Sequence, residues 1–266
     1  MNDRIGPTSR PDDQPVSRNG KTTQPVSNLG ARNGKTTQPA GFQKWKKLLF
    51  LHWQVPVEEL RSLIPDALTI DTFEGAAYVG VVPFVMEDVR PSWWPKAWAF
   101  NFLETNVRTY VHLDGQPGVY FLSLDASSRL AVWAARVGWS LPYFFSDMHI
   151  EQDQNEIQYT ASRRSKPHPK LSAKYRVGKE IGPSQPDTLE FFLLERYLMF
   201  VERQGGIQVG QVYHTPYIAH EVELISVEDE LVHAAGLAEQ KEQPHCAHYV
   251  ELVNAEIFPL RASGKQ

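Results

Sequence analysis

Five polar side chains recur at every second position of one stretch: Glu104, Asn106, Arg108, Tyr110 and His112. In an extended strand, residues two apart share a face, so a carboxylate, a guanidinium and a phenol would stand in one row. On the wall of an interior pocket, such a row is suited to fixing an acidic or carbonyl ligand. Pointing outward, the same row is an ordinary solvated strand face, and the spacing alone leaves both readings open.

Other candidates lie further along. Arg136 closes an Ala-rich segment shortly before Leu141-Pro142-Tyr143 and is placed to meet an anionic ligand group. Glu195-Arg196-Tyr197 sits between Phe191-Phe192-Leu193-Leu194 and Leu198-Met199-Phe200. Charges in so apolar a segment must pair or reach water; a buried structural ion pair is expected, with an acid or base role for Glu195 as the sharper alternative. His214 precedes Thr215-Pro216 at a strand end, where an imidazole can titrate near neutrality. In His245-Cys246-Ala247-His248, a strand would put Cys246 and His248 on one face and His245 on the other, and no second cluster has metal-ligand spacing. Neither a metal nor a cofactor is therefore expected. The basic run Arg163, Arg164, Lys166, Lys170, Lys174, Arg176 and Lys179 has only Tyr175 as an interleaved aromatic, so it reads as a solvated sheet edge rather than a nucleic-acid surface.

The elements that must position these residues follow from pattern. Lys47 to Val55 reads as a strand, and Pro56 to Ile64 as a short helix opened by one Pro and stopped by Pro65. Ala76 to Phe84 is an apolar strand. Leu103 to Leu113 alternates apolar and polar residues, turns at Asp114-Gly115 and returns as Val119 to Leu124, a hairpin. Asp125 is placed to cap a helix from Ala126 to Arg136 that Gly138 closes. Asp187 with Glu190 resembles a capping box for a helix from Leu189 to about Glu202. Pro91 to Phe100, with Trp93, Trp94 and Trp98, is a loop, either a lid or a packed surface loop. Strands are expected at Met148 to Gln152, Glu156 to Arg163, Leu171 to Val177, Gln208 to Tyr213, His220 to Ile225 and His248 to Phe258, with a short helix around Val227 to Ala235. Strands that outnumber helices and return by short turns imply an α+β fold with a largely antiparallel sheet.

The chain has 266 residues and a formal charge of -4, which gives no global attraction to nucleic acid or anionic lipid. No apolar run has the length of a signal peptide or membrane span. The single cysteine, Cys246, cannot form an internal disulfide, and a cytoplasmic location is expected. Residues 1 to 41 carry the octapeptide Arg-Asn-Gly-Lys-Thr-Thr-Gln-Pro twice, at Arg18 to Pro25 and Arg32 to Pro39, and too little apolar surface to offset ordering, so they read as a disordered tail. One domain is expected over residues 42 to 260, followed by a tail at 261 to 266.

Several ordered blocks carry a family resemblance: PVEELRSLIPDALTIDTFEGAAYVGVVPF at Pro56 to Phe84, NVRTYV at Asn106 to Val111, GVYFLSLDA at Gly118 to Ala126, LPYFFSDM at Leu141 to Met148 and LERYLMF at Leu194 to Phe200. From about Trp45 to Phe258 the chain resembles the YqjF-like family, domain of unknown function 2071, which is similar to the acetoacetate-decarboxylase-like superfamily. The resemblance implies an antiparallel β-barrel or cone with packed helices and a small-molecule cavity. It also implies a place for a Schiff-base lysine that follows a Pro at a strand start. At the similar place stand Tyr143 and Phe144, and no lysine occurs between Lys96 and Lys166; a phenol cannot make an imine. The resemblance favours the pocket reading at Arg108 and Tyr110 and draws His214 into the site. The resulting expectation is a small-molecule protein, with a homo-oligomer left open, that binds an organic acid or carbonyl compound through Arg108, Tyr110, Tyr143, Arg136, Glu104 and His214 without Schiff-base chemistry. Two rivals are a structural or interaction module with a filled interior, and a decarboxylase or lyase that uses a displaced lysine.

Overall fold

The computed structural model describes residues 38–203 and 205–263. The duplicated octapeptide lies outside them apart from its final residues. Among the described residues are thirteen strands: β1 (Gly41–Val55), β2 (Thr69–Ile70), β3 (Ala77–Pro91), β4 (Phe100–Leu113), β5 (Gln116–Ala126), β6 (Tyr143–Asp153), β7 (Glu156–Arg163), β8 (Lys170–Gly182), β9 (Leu198–Arg203), β10 (Gly206–His214), β11 (Ala219–Asp229), β12 (Cys246–Ile257) and β13 (Arg261–Ala262). Four α-helices accompany them: α1 (Val57–Arg61), α2 (Arg129–Trp139), α3 (Leu189–Leu194) and α4 (Leu231–Ala234). None is long and apolar enough to cross a membrane.

The centre is an antiparallel wall in the order β12-β1-β3-β4-β5. Its two outer strands each change partner along their length. On β5, Val119 and Tyr120 pair in parallel with β9, whereas Leu124, Asp125 and Ala126 pair in parallel with β6. On β12, His248 to Val250 pairs with β11, whereas Ala255 to Ile257 pairs with β10. The β9–β10 hairpin therefore closes one ring of strands, and β6-β7-β8-β11 closes another, both sharing the wall. Gly118 permits the first closure, because a Cβ there would lie 2.6 Å from the Leu198 carbonyl oxygen. The segment expected as a C-terminal tail contributes β13, which pairs with β10.

A wall covered on both faces needs apolar residues on both, and β3 reads that way, with Ala77 to Phe84 buried throughout. Pro83 is tolerated within it because the β1–β3 pairing skips from Lys46–Val85 to Leu51–Val81, a gap in which the missing N–H costs no ladder bond to β1. Alternation divides the core. Leu49, Leu51, Val79, Val81 and Val107 pack with Tyr159 and Tyr175 of the β7–β8 pair. Leu48, Phe50, Val82 and Phe84 pack with Leu124, Tyr143 and Tyr217.

Several local expectations are corrected. Ser128, not Asp125, caps α2, accepting from the Ala131 N–H at 3.3 Å. Asp125 remains in β5, fully buried, where Arg163 Nε donates to its Oδ1 at 2.9 Å and Arg163 Nη2 to its Oδ2 at 2.7 Å. Arg163 accordingly leaves the expected solvated basic run for the interior. The helix begun at Leu189, capped by Thr188, stops at Leu194, and Leu198–Arg203 is a strand. An apolar segment buried on both sides carries no periodicity that separates helix from strand. Glu195 and Arg196, at that break, do not pair with each other: Arg196 Nη1 reaches Asp71 at 2.7 Å, and Glu195 accepts from the Tyr217 N–H at 3.0 Å and from the Tyr197 hydroxyl.

Removing one partner of the Asp125–Arg163 pair strands a buried charge. Asp125→Ala should lower stability by about 3–5 kcal/mol in urea denaturation, and the double variant Asp125→Ala, Arg163→Met should recover part of the loss. A single-variant loss under about 1 kcal/mol would show the pair to be energetically idle.

Candidate functional site

The polar row of β4 points inward. Glu104, Asn106 and Arg108 line a cavity of about 470 Å³ on one face of the wall. Most of its surface is apolar, with Phe50, Phe84, Phe102 and Phe121 prominent, and the small side chains Ala131, Ala134 and Ala135 of α2 border it. The interior is therefore not packed solid at this place. Among the described residues no lysine lines it.

Each polar group in the cavity is held by a different device. Tyr143, at the start of β6, donates from its hydroxyl to Glu104 Oε2 at 2.8 Å. Burial pushes the Glu104 carboxyl up to about 8, with the nearby Asp125 charge adding to the shift and the Tyr143 bond opposing it. Burial also holds the Tyr143 phenol well above its ordinary range, so both groups are neutral near pH 7. Three arginines line the cavity: Arg90, whose Nη1 donates to the Asp88 carbonyl at 3.1 Å, Arg108 and Arg196. Arg196 is neutralised by Asp71, and burial lowers its pKa. Arg108 has no ion-pair partner among the described residues. Its Nη2 donates to the Leu193 carbonyl at 3.1 Å and lies 3.5 Å from the Tyr110 hydroxyl, while its Nε has no hydrogen-bond partner. Asn106 Oδ1 is likewise buried and unpartnered.

The other residues singled out from sequence are distributed unevenly. Tyr110 is fully buried behind the cavity, donating to the Leu193 carbonyl at 3.0 Å and touching the His52 Nε2 at 2.6 Å. It supports Arg108 rather than lining the cavity. Arg136 lies on the exposed side of α2 and donates from Nε to the Tyr143 carbonyl at 2.7 Å. It braces the strand that carries Tyr143 and does not line the cavity. His214 is sandwiched between the rings of Tyr197 and Tyr217, at centroid distances of 4.6 and 4.4 Å. Burial pulls its pKa down to about 4, so the ring is neutral near pH 7, and it stands outside the cavity lining. In the Trp-rich loop Trp93 and Trp98 are exposed, and only Pro91 and Phe100 at its ends reach the cavity.

Sequence reading missed the Arg196–Asp71 pair and His52. Asp71 follows β2 and His52 belongs to β1, so neither is linked to its partner by spacing. Only the sheet register, with His52 opposite Gly80, brings His52 to Tyr110. A Cβ at Gly80 would stand 3.0 Å from the His52 ring and 3.3 Å from the Tyr110 hydroxyl, so this glycine makes room for the pair.

The family model for an uncharacterized conserved protein, DUF2071, matches residues 42–254. YqjF of Bacillus subtilis (strain 168), an uncharacterized protein, is 36% identical over 182 residues, covering 68% of this chain and 75% of YqjF. Two solved structures share the fold at low identity. The enduracididine biosynthesis enzyme MppR complexed with pyruvate has a TM-score of 0.55 at 12% identity, over 86% of this chain and 92% of MppR. Acetoacetate decarboxylase from Legionella pneumophila has a TM-score of 0.56 at 14% identity, over 87% of this chain and 92% of that enzyme.

The raised Glu104 pKa makes a signed prediction. The native state keeps a proton that the unfolded chain releases above about 4.5, so this group makes stability fall as pH rises towards 8. The buried histidines His52, His214 and His248 act oppositely, but only below about 6.5. Between pH 6.5 and 8, stability should therefore decline at up to about 1.4 kcal/mol per pH unit, and Glu104→Gln should flatten that slope. Urea denaturation at several pH values measures it, and equal slopes in both proteins would refute the assignment.

Proposed function

This chain belongs to the DUF2071 family, and from that premise we propose that it binds an organic acid or carbonyl compound in the β4 cavity, without Schiff-base chemistry. The observation that carries the reading is Arg108: a guanidinium only 8% exposed, without a carboxylate partner among the described residues, with a free Nε at the wall of an apolar chamber. A buried cation left unpaired by the protein is costly, and a ligand carboxylate would supply the missing charge and hydrogen bond.

The arrangement also suggests an orientation. Glu104 and Arg108 are on one face of β4, roughly 13 Å apart along the strand. A ligand with its carboxylate at Arg108 would lay its apolar body along the phenylalanines and bring an oxygen towards Glu104 and Tyr143. The neutral Glu104 carboxyl and Tyr143 phenol can then donate to a carbonyl or hydroxyl oxygen. Neither is an amine, so neither can form an imine, and among the described residues the cavity lining includes no displaced lysine. MppR, which shares the fold, has been solved with pyruvate, a 2-oxo acid, and this supports the ligand class. The open chamber argues against an interaction module whose interior is simply filled.

A thermal-shift panel of 2-oxo and 3-oxo acids of increasing chain length, each paired with its amide, tests the reading. A bound acid at a hundredfold excess over its Kd should add about 2.7 kcal/mol, and its amide should add far less. Arg108→Met should abolish the acid-specific shift while leaving the unliganded protein as stable or more so, because an unpaired buried charge is gone. Equal shifts in wild type and variant would remove the proposed site. Borohydride treatment with the best oxo acid should leave the protein mass unchanged, and a lysine adduct would overturn the exclusion of imine chemistry.

A further inference from the structure

Beyond the cavity, three potential ligand side chains converge on the same region of the wall. In the β1–β12 register His52 stands opposite Cys246, and Phe50 opposite His248, so Cys246 and His248 share one face of β12 with His52 beside them. One ligand atom from each, two imidazole nitrogens and a thiol sulfur, lies within 4.8 Å of the others. None of the three lines the cavity. We propose that His52, Cys246 and His248 form a binding site for one thiophilic divalent cation, of which Zn²⁺ is the representative.

The hydrogen bonds select the ligand atom of His52. The Tyr110 hydroxyl gives its proton to the Leu193 carbonyl, so it must accept at the 2.6 Å contact with His52 Nε2. The proton of His52 is thereby fixed on Nε2, and Nδ1 presents a lone pair. That Nδ1 is buried without a hydrogen-bond partner, on a residue with no exposed surface. His248 Nδ1 is also buried and unpartnered, on a residue 6% exposed. An imidazole bonded through one nitrogen to a protein oxygen and free at the other is the usual second-shell arrangement for a metal-binding histidine.

The charges around the three residues act both ways: the Arg108 guanidinium near His52 opposes a cation, and Glu190 and the Cys246 thiolate that forms on binding favour one. Burial lowers the pKa of both histidines and keeps them neutral near pH 7, the form that binds metal. Glu190, in the first turn of α3, exerts its negative charge on both Cys246 and His248. Around a tetrahedral Zn²⁺ with ordinary bond lengths, donor atoms stand roughly 3.3–3.6 Å apart, so donors that lie within 4.8 Å of one another need to close by at most about 1.5 Å. Burial pushes the Cys246 thiol up to about 12. The cation must therefore displace its proton: the S–H bond breaks, the metal–sulfur bond forms, and one proton passes to solvent for each ion bound. Sequence spacing put Cys246 and His248 on one face but could not supply the third residue, because only the β1–β12 register brings His52 opposite Cys246.

The test uses the full-length chain, stripped with EDTA and titrated with Co²⁺. We expect saturation at one ion per chain, with a thiolate-to-cobalt charge-transfer band in the near ultraviolet, visible bands of tetrahedral intensity, and displacement by Zn²⁺. One proton per ion should appear in weakly buffered solution. Cys246→Ser should erase the charge-transfer band, and His248→Ala should weaken binding at least tenfold. On the wild-type chain, which removes any question of misfolded variants, saturating Zn²⁺ should protect Cys246 from iodoacetamide. Absence of the charge-transfer band in the wild type, its survival in Cys246→Ser, or unchanged alkylation under Zn²⁺ would each overturn the proposal. These readouts are independent of any acid bound at Arg108.

Discussion

The structure turns on one constraint: β4 is buried on both faces and still carries a row of ionisable and amide side chains. In a medium from which water is largely removed, each polar atom must find a partner, lose its charge or be left costly. On the face turned towards β7, partners are supplied within the protein. Thr105 Oγ1 donates to the Tyr159 hydroxyl at 3.1 Å, Tyr159 donates to the Glu104 carbonyl at 3.0 Å, and Thr109 donates to the Tyr78 carbonyl at 2.8 Å. On the cavity face the accounting does not close. Glu104 is neutral, while Arg108 Nε and Asn106 Oδ1 lack partners. That asymmetry between two faces of one strand separates a cavity wall from a packed core.

The same constraint ties the cavity to the three potential metal ligands. The Tyr110 hydroxyl donates to Leu193, accepts from His52 and lies within reach of Arg108. One phenol therefore sets both the tautomer of a potential metal ligand and the position of a potential anion ligand. Arg108 is close enough to His52 for its charge to oppose protonation of the ring. Neutral His52 and charged Arg108 are thus compatible, and a divalent cation bound at His52 would bring the Cys246 thiolate with it to offset part of its charge. The Tyr110 side chain, with no exposed surface, is better understood as the joint between two groups than as a contact for ligand.

Much of the fold was legible because hairpins and alternating strands are local signals. The Leu103–Leu113 alternation, the Asp114-Gly115 turn and the return strand correspond to β4 and β5, and both turn residues have positive φ, as a two-residue hairpin requires. The row of polar residues was equally visible, but its direction was not, since alternation is the same for a chamber wall and a solvated edge. Errors arose where the deciding interaction was distant. Asp125 resembles a cap until Arg163 arrives from β7, and Leu198–Arg203 resembles a helix until β10 and β5 flank it. His52 carried no local sign at all, and Arg136 as a cation and His214 as a titratable imidazole attracted attention near the right segments while the fold turned them to bracing and packing.

Position 143 shows how one residue type sets the chemistry of the chamber. The family resemblance suggests this region for an amine, and the structure puts a phenol there with Glu104 as its acceptor. An ammonium at that place would form an ion pair with Glu104 and favour the carboxylate, drawing its pKa down. A phenol gives a hydrogen bond but no charge, so desolvation prevails and the carboxyl remains protonated at neutral pH. The protonation state of Glu104 and the identity of residue 143 are therefore a single property of the site. With the amine absent, Arg108 is the buried fixed charge on this wall without a carboxylate partner among the described residues, and that is the feature on which the proposed anion site rests.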